Sequence, residues 1–405
     1  MSTGWQLATL EQVSTDPIVY GIVQPGEPVP EGVPFVQTRD IGSRLDITKL
    51  DRTDPKIAAA YGRSTLRPGD ILVALRSDIG SAAVVPIELD GANISRGVAR
   101  VRIGSANDSE FVRYALESPA ARDSIRMLTS GSTLRELSIG ALRQVQISVP
   151  PLPEQRKIVE ILCTWDDAIE KASALVAHSE SKLSALVSEL FTPSTKHRNL
   201  ALSDLVSPVK TKNSAGATNV LTSSGKRGLV SQADYYNKNV ASADTSGYYL
   251  IENGDFAYNR SSSFGYPFGA IKRLDRYQQG LLSTLYLCFR LTNTDDVDSD
   301  YLTHFFESGV LNRQLVAICQ EGARSHGLLN VTQADFFELV VPVPAIERQQ
   351  QIARALNEAT KELELLEKKR VALTVQKRGL MQKLLTGEIR VTGDEYENLG
   401  EESSV

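Results

Sequence analysis

The chain repeats itself once with a period near 190 residues, and a duplication of that size fixes architecture before any local pattern is read. The segment RPGDILVALRSDIG around Gly69 lies 185 residues ahead of ENGDFAYNRSSSFG, which matches Gly69 with Gly254, Asp70 with Asp255, Ser77 with Ser262 and Gly80 with Gly265. Both segments read as a turn that needs glycine and then enters a strand. Further on, FVRYALESPAARDSIR matches YLTHFFESGVLNRQLV at an offset of 190, with Glu117-Ser118 opposite Glu307-Ser308 on an amphipathic helix. Finally, VQISVPPLPEQRKIVEIL matches FELVVPVPAIERQQQIARAL, where Gln155, Ile158 and Leu162 precede Gln349, Ile352 and Leu356 by 194 residues.

Each half therefore reads as a mixed head followed by one long helix, because period-2 patterning gives way to heptads after a proline-rich joint. The first helix carries Ile158, Leu162, Trp165, Ile169, Ala172, Val176, Ser179, Leu183, Leu186 and Leu190 in 4-3 alternation. The same phase returns as Ile352, Leu356, Ala359, Leu363, Leu366, Arg370, Leu373, Lys377, Leu380 and Leu384, and its polar interruptions are expected to set register. About 38 residues at 1.5 Å each make a rod of roughly 57 Å, which alone would expose its seam. Two matched rods separated by a compact head are expected to pair antiparallel, with the heads at opposite ends. The expected fold is thus α+β: two pseudo-repeated mixed α/β domains and two long helices forming an antiparallel coiled coil. The boundaries follow as head one at 1–153, central helix at 154–192, head two at 193–346, C-terminal helix at 347–386, and an acidic flexible tail at 387–405.

Composition excludes more than it suggests. Hydrophobic residues make up 41% and charged residues 23%, enough for a sizeable core. No run of about 18 apolar residues is present to span a membrane, and the start MSTGWQLATLEQ lacks signal-peptide character, so a cytoplasmic location is expected. Cys163, Cys288 and Cys319 form neither a disulfide framework nor a zinc pattern. The net charge is −5, with −1, −3, 0 and −1 for residues 1–153, 154–192, 193–346 and 347–405, the wrong sign for nucleic-acid binding through bulk charge. Enzyme signatures are missing: there is no dinucleotide fingerprint, Walker loop, H-E-x-x-H or N-P-P-aromatic tetrapeptide, and SSGKRG at 223–228 lacks the flanking residues of a phosphate loop. His178, His197, His304 and His326 are scattered over both halves. No catalytic, cofactor-binding or metal-ligating residue is nominated.

These features together resemble the specificity subunit of type I restriction-modification enzymes. The resemblance is carried over nearly the whole chain by Trp5, the two Gly-Asp strand entries, the joints PPLPEQRKI at 150–158 and PVPAIERQQQI at 342–352, and the two trailing heptad helices. The second joint departs from the pattern at Ala345, Ile346 and Arg348. The resemblance implies a non-catalytic DNA-specificity subunit in which each head is a target-recognition domain for one half of a bipartite, asymmetric site and the coiled coil fixes their separation. It further implies double-stranded DNA as ligand, two methylation subunits and restriction-translocation subunits as partners, and S-adenosylmethionine, ATP and magnesium bound on those partners rather than here.

Base readout needs polar donors on loops, and phosphate contact needs Lys, Arg or hydroxyls. In head one the candidates are Gln37, Thr38 and Arg39, Arg76 and Ser77, and Ser130, Ser132 and Thr133 with Arg135. In head two they are Ser223, Ser224, Lys226 and Arg227; Tyr258, Asn259, Arg260 and Ser262; and Arg324, Ser325 and His326. Arg76 can equally pair with Asp70 or Asp78, and Tyr258 can pack beside Phe256. Gln155 and Gln349 sit where capping or partner contact is expected. Two other readings stay open: an enzyme with an unrecognised site, and a coiled-coil scaffold that binds no nucleic acid.

Overall fold

A computed structural model describes residues 4–42, 45–129, 135–191, 197–214, 216–225, 227–236, 244–321 and 329–391. The chain divides into two compact units, residues 1–173 with 368–405 and residues 174–367, so each long helix contributes a part to both.

In the first unit Gly69, at φ +86°, turns the chain into the strand Ile71–Ala74. That strand lies in a four-stranded antiparallel sheet ordered Val19–Tyr20, Val98–Val101, Ile71–Ala74, Ala82–Val84. Its sequence is apolar throughout because both faces of the sheet are covered. Ile71 and Val73 enter a core with Leu10, Phe111 and Tyr114, whereas Leu72 joins Val36, Leu66 and Ile94 on the other side, the separation that a period of two imposes.

The second unit repeats the plan. Gly254, at φ +90°, leads into Phe256–Asn259, and the sheet order is Val206–Pro208, Tyr286–Leu291, Phe256–Asn259, Ala270–Arg273. Phe256, Tyr258 and Phe289 face the main core, Ala257 and Cys288 the opposite one. Burial, reinforced by Asp255, pushes the Cys288 thiol up to about 12, which leaves it an inert core residue. Each head is also closed by a strand pair that stitches its start to the strand before the joint: Gln6–Thr9 with Gln146–Val149, and Arg198–Ala201 with Val340–Val343.

The single amphipathic helix expected around Glu117-Ser118 is two helices. Ser109–Leu116 ends there, and Pro119–Leu128 restarts with Pro119 in its first turn and the Ser118 hydroxyl accepting from the Ala121 amide. The second unit breaks at the same place, Ser299–Glu307 giving way to Asn312–Ile318 across Gly309 at φ +74°.

The long helices run Leu152–Leu190 and Ile346–Thr386, and every heptad position named from the sequence is buried or half-buried. In the first unit Asp166 meets Lys377 at 2.5 Å and Glu154 meets Arg390 at 2.8 Å, so the helices pair antiparallel. In the second, Leu183, Leu186 and Leu190 join the core that holds Ile352 and Leu356. The polar seam residue Lys377 also lies over the Tyr114 ring, whose hydroxyl donates to Asp166 at 2.5 Å. The tail reading needs correction at its start. Ile389 and Val391 pack on the first core and Arg390 bonds Glu154, which also accepts from Trp5 Nε1; residues 392–405 lie outside those described.

At the joints the two glutamines are buried clamps. Gln155 Oε1 accepts from the Asp108 amide at 2.8 Å, and its Nε2 donates to the Pro150 carbonyl and Asn107. Gln349 makes the matching set with the Asp298 amide and the Pro344 and Asp296 carbonyls. One side chain thus locks the start of a long helix to the proline turn and to the cap of a head helix.

Candidate nucleic-acid interface

A repeated ionic fixture holds the start of each central strand, at the end opposite the candidate loop. Asp70 is 1% exposed, accepts from the Arg67 amide at 2.8 Å, and takes Nε and Nη2 of Arg102 at 2.7 and 2.8 Å. Asp255 does the same with the Glu252 amide and Arg290, at 2.8, 2.5 and 2.8 Å. These hydrogen bonds, outweighing burial, raise both guanidinium groups above their ordinary range and keep them charged. The doublet Gly-Asp was legible in the sequence; its arginine partners, 32 and 35 residues later, were not.

In head one two candidate clusters meet at the Gly97 carbonyl, and the segment after Arg135 is bonded to one of them. The Thr38 hydroxyl and the Leu75 amide both donate to it, at 3.2 and 2.8 Å, and the Leu137 amide donates to the Leu75 carbonyl at 2.9 Å. One edge therefore carries Gln37 to Arg39, Arg76 with Ser77, and Arg135. Gln37 Nε2 and Arg39 both reach Asp51, at 2.7 and 2.6 Å, while the Arg39 side chain stays largely exposed. Arg76 pairs with Glu136 at 2.9 Å rather than with Asp70 or Asp78. Ser77 is exposed at φ +58°, the one non-glycine residue with positive φ among the described residues. Ser130, Ser132 and Thr133 lie outside the described residues.

Head two gathers its candidates in the same way. The Leu329 amide donates to the Arg260 carbonyl at 2.8 Å, as Leu137 does to Leu75. Across the loop, Lys272, buried in its strand, donates to the Gly225 carbonyl at 2.9 Å and the Tyr266 hydroxyl at 2.8 Å, and pairs with Glu307. That network fastens the hairpin tip bearing Ser223, Ser224 and Arg227 to the loop after Asn259. Burial, reinforced by Glu307, pushes the Tyr266 hydroxyl up and keeps it protonated.

Several candidates are already engaged. Arg260 spends its guanidinium on the Leu285 and Val331 carbonyls, at 2.9 and 3.2 Å. Asn259 accepts from the Ser261 amide, and Ser224, buried, from that of Arg227. The Ser223 hydroxyl is buried without a hydrogen-bond partner among the described residues. Arg227 and Ser262 are exposed. Tyr258 is withdrawn as a contact: its ring is fully buried, stacked on Phe336, with its hydroxyl on the Phe268 carbonyl. Lys226, Arg324, Ser325 and His326 lie outside the described residues. Among the described residues no group of His, Cys, Asp or Glu side chains is placed to hold a metal ion, and no helix is long and apolar enough to cross a membrane.

The model of the type I restriction modification DNA specificity domain matches the chain twice, over residues 33–175 and 202–375. The specificity subunit of type I restriction enzyme EcoBI from Escherichia coli is 29% identical over 160 residues, 38% of this chain and 34% of that relative. The MjaIX specificity subunit from Methanocaldococcus jannaschii is 29% identical over 141 residues, 34% of this chain and 32% of the relative. Both alignments span about a third of the relative's length. Among solved structures, a type I restriction-modification S subunit from M. genitalium covers 95% of this chain and 97% of its own at 15% identity and a TM-score of 0.57. A structure described as showing complex assembly and conformational transition of the type I restriction-modification system covers 96% and 99% at 16% identity and 0.55. These likenesses carry the fold. Because the two family matches span most of the sequence, and each ends inside one of the long helices, the chain belongs to the type I restriction modification DNA specificity domain family and carries that domain twice.

Proposed function

We propose that this chain is the non-catalytic, DNA-reading specificity subunit of a type I restriction-modification complex, each head reading one half of a bipartite, asymmetric duplex target. The observation that carries the proposal is that each head ties segments distant in sequence onto one edge: the Leu137 amide on Leu75 matches the Leu329 amide on Arg260, while the Thr38 hydroxyl on Gly97 in the first head and Lys272 on Gly225 in the second draw in another loop by side chains. Side chains on such an edge present donors to groove edges and phosphates from a fixed frame. The paired helices, which join one head to the other, set the spacing of the half-sites and offer a surface for two methylation subunits and for restriction-translocation subunits. S-adenosylmethionine, ATP and magnesium belong to those partners. The net charge of −5 fits a division of labour in which partners supply much of the phosphate contact and this chain supplies base discrimination.

Single-molecule mapping of modified bases, in cells with and without the chain, tests the proposal. Loss of methylation at one split motif on deletion is the expected result. Turnover by the purified chain alone would favour an enzyme instead, and a reconstituted complex without salt-dependent DNA binding would favour a scaffold.

A further inference from the structure

Phe264 is fully exposed, whereas the other ten of the eleven phenylalanines are buried or half-buried. A ring left in water forgoes the burial that normally holds it, so the position needs another reason. Its mount is rigid. The Ser263 amide donates to the Tyr266 carbonyl at 3.1 Å, the Tyr266 amide returns to Ser263 at 2.9 Å, and Gly265 at φ +82° completes the turn. Beneath it the Tyr266 hydroxyl lies 3.2 Å from the Gly225 carbonyl and 2.7 Å from Glu307, joined by Lys272. A Cβ on Gly225 would stand 3.0 Å from the Tyr266 ring, so the hairpin tip with Arg227 packs directly against the base of the turn.

The duplication supplies an internal comparison. In head one the loop between the central strands spans residues 75–81, and Ile79, the counterpart of Phe264, packs onto the core. In head two the loop spans 260–269, three residues longer, and holds the aromatic ring out. Its exposed neighbours in the loop are Ser262, Ser263, Gly265 and Pro267, of which Pro267 alone is a sizeable apolar group. A protein-docking surface would need a contiguous apolar area larger than one ring and one proline offer.

We infer that Phe264 is a stacking wedge that enters one base step of duplex DNA in the half-site read by the second head, a role that rests on the DNA-reading function proposed above. An aromatic face replaces the stacking lost when a base step opens, and a flexible pyrimidine–purine step opens at least cost, so the wedge reads deformability where no base edge is contacted. The hydrogen-bonded turn lowers the ordering cost of presenting the ring, and Arg227 and the serine hydroxyls flank it as phosphate donors.

The test uses the full chain assembled with its methylation subunits and duplexes of the mapped motif carrying 2-aminopurine at successive steps. The wild-type complex is expected to raise fluorescence severalfold at one step away from the modified base. Phe264→Ala should abolish that rise and weaken motif binding about tenfold, Phe264→Trp should keep both, and melting of Phe264→Ala should match wild type because the ring is fully exposed. A flat wild-type profile, or a Phe264→Ala complex that matches wild type in fluorescence and affinity, overturns the wedge. Failure of the DNA-reading function itself looks different: the wild-type complex would then show no preference for the motif over a scrambled duplex.

Discussion

A carboxylate removed from water is tolerated only where its charge and lone pairs are met, and Asp70 and Asp255 meet that condition with one backbone amide and one two-pronged arginine each. The pairing holds the start of each central strand, the end opposite the candidate loop, so it braces the frame of the head rather than the loop itself. Asp70→Ala should destabilise the first head by about 3 kcal/mol, because Arg102 is left partly buried with Asp16 as its remaining carboxylate; Asp255→Ala should destabilise the second by less, because Arg290 is 46% exposed and keeps Glu252. Denaturation of the full chain checks this: each variant should lower one transition and spare the other. The Gly-Asp doublets could be read from sequence because a turn entering a strand is a local event. For Tyr258 the sequence left packing beside Phe256 and DNA contact both open, since in FAYN both faces of the strand are covered and alternation gives no outward side.

At the scale of elements, the seam combines apolar heptads with the ionic contact of Lys377 and Asp166, whose parts are mostly shielded. Lys377 binds Asp166, and Asp166 accepts from Tyr114. Lys377→Met should cost about 1–2 kcal/mol, because the carboxylate keeps its burial and loses its cation. The double variant Asp166→Leu with Lys377→Leu should recover most of that loss, since two apolar side chains then meet in the seam. Thermal melts of the two variants decide it: a double variant no more stable than Lys377→Met would remove the ion pair from the account. Heptads were legible because a 3.5-residue repeat survives any tertiary context. The helix break at Ser118 rested on a local cap, and its sign, Ser-Pro at 118–119, was present in the sequence. The packing of Ile389 and Val391 depended on a head more than 200 residues earlier, which no local pattern encodes.

For the whole molecule the decisive property is the duplication. It made the two-head architecture readable, and it shows that equivalent loops in both heads are gathered by equivalent hydrogen bonds: Leu137 to Leu75 in one, Leu329 to Arg260 in the other. What no spacing revealed is that Gln37–Arg39, Arg76 and Arg135 share an edge, because Gly97 joins the first two segments across the fold and Leu137 ties the third to Leu75. The central claim is that each head reads its own half-site while the long helices set the interval. Adding one heptad to each helix, at positions opposite in the antiparallel pairing, preserves the seam and lengthens the coil by about 10 Å, roughly three base pairs of duplex. The most direct measurement is modified-base mapping in cells that carry this lengthened chain. The account predicts both half-sites unchanged in sequence with a spacer about three base pairs longer; an unaltered spacer, or new half-site sequences at the old spacing, would contradict it.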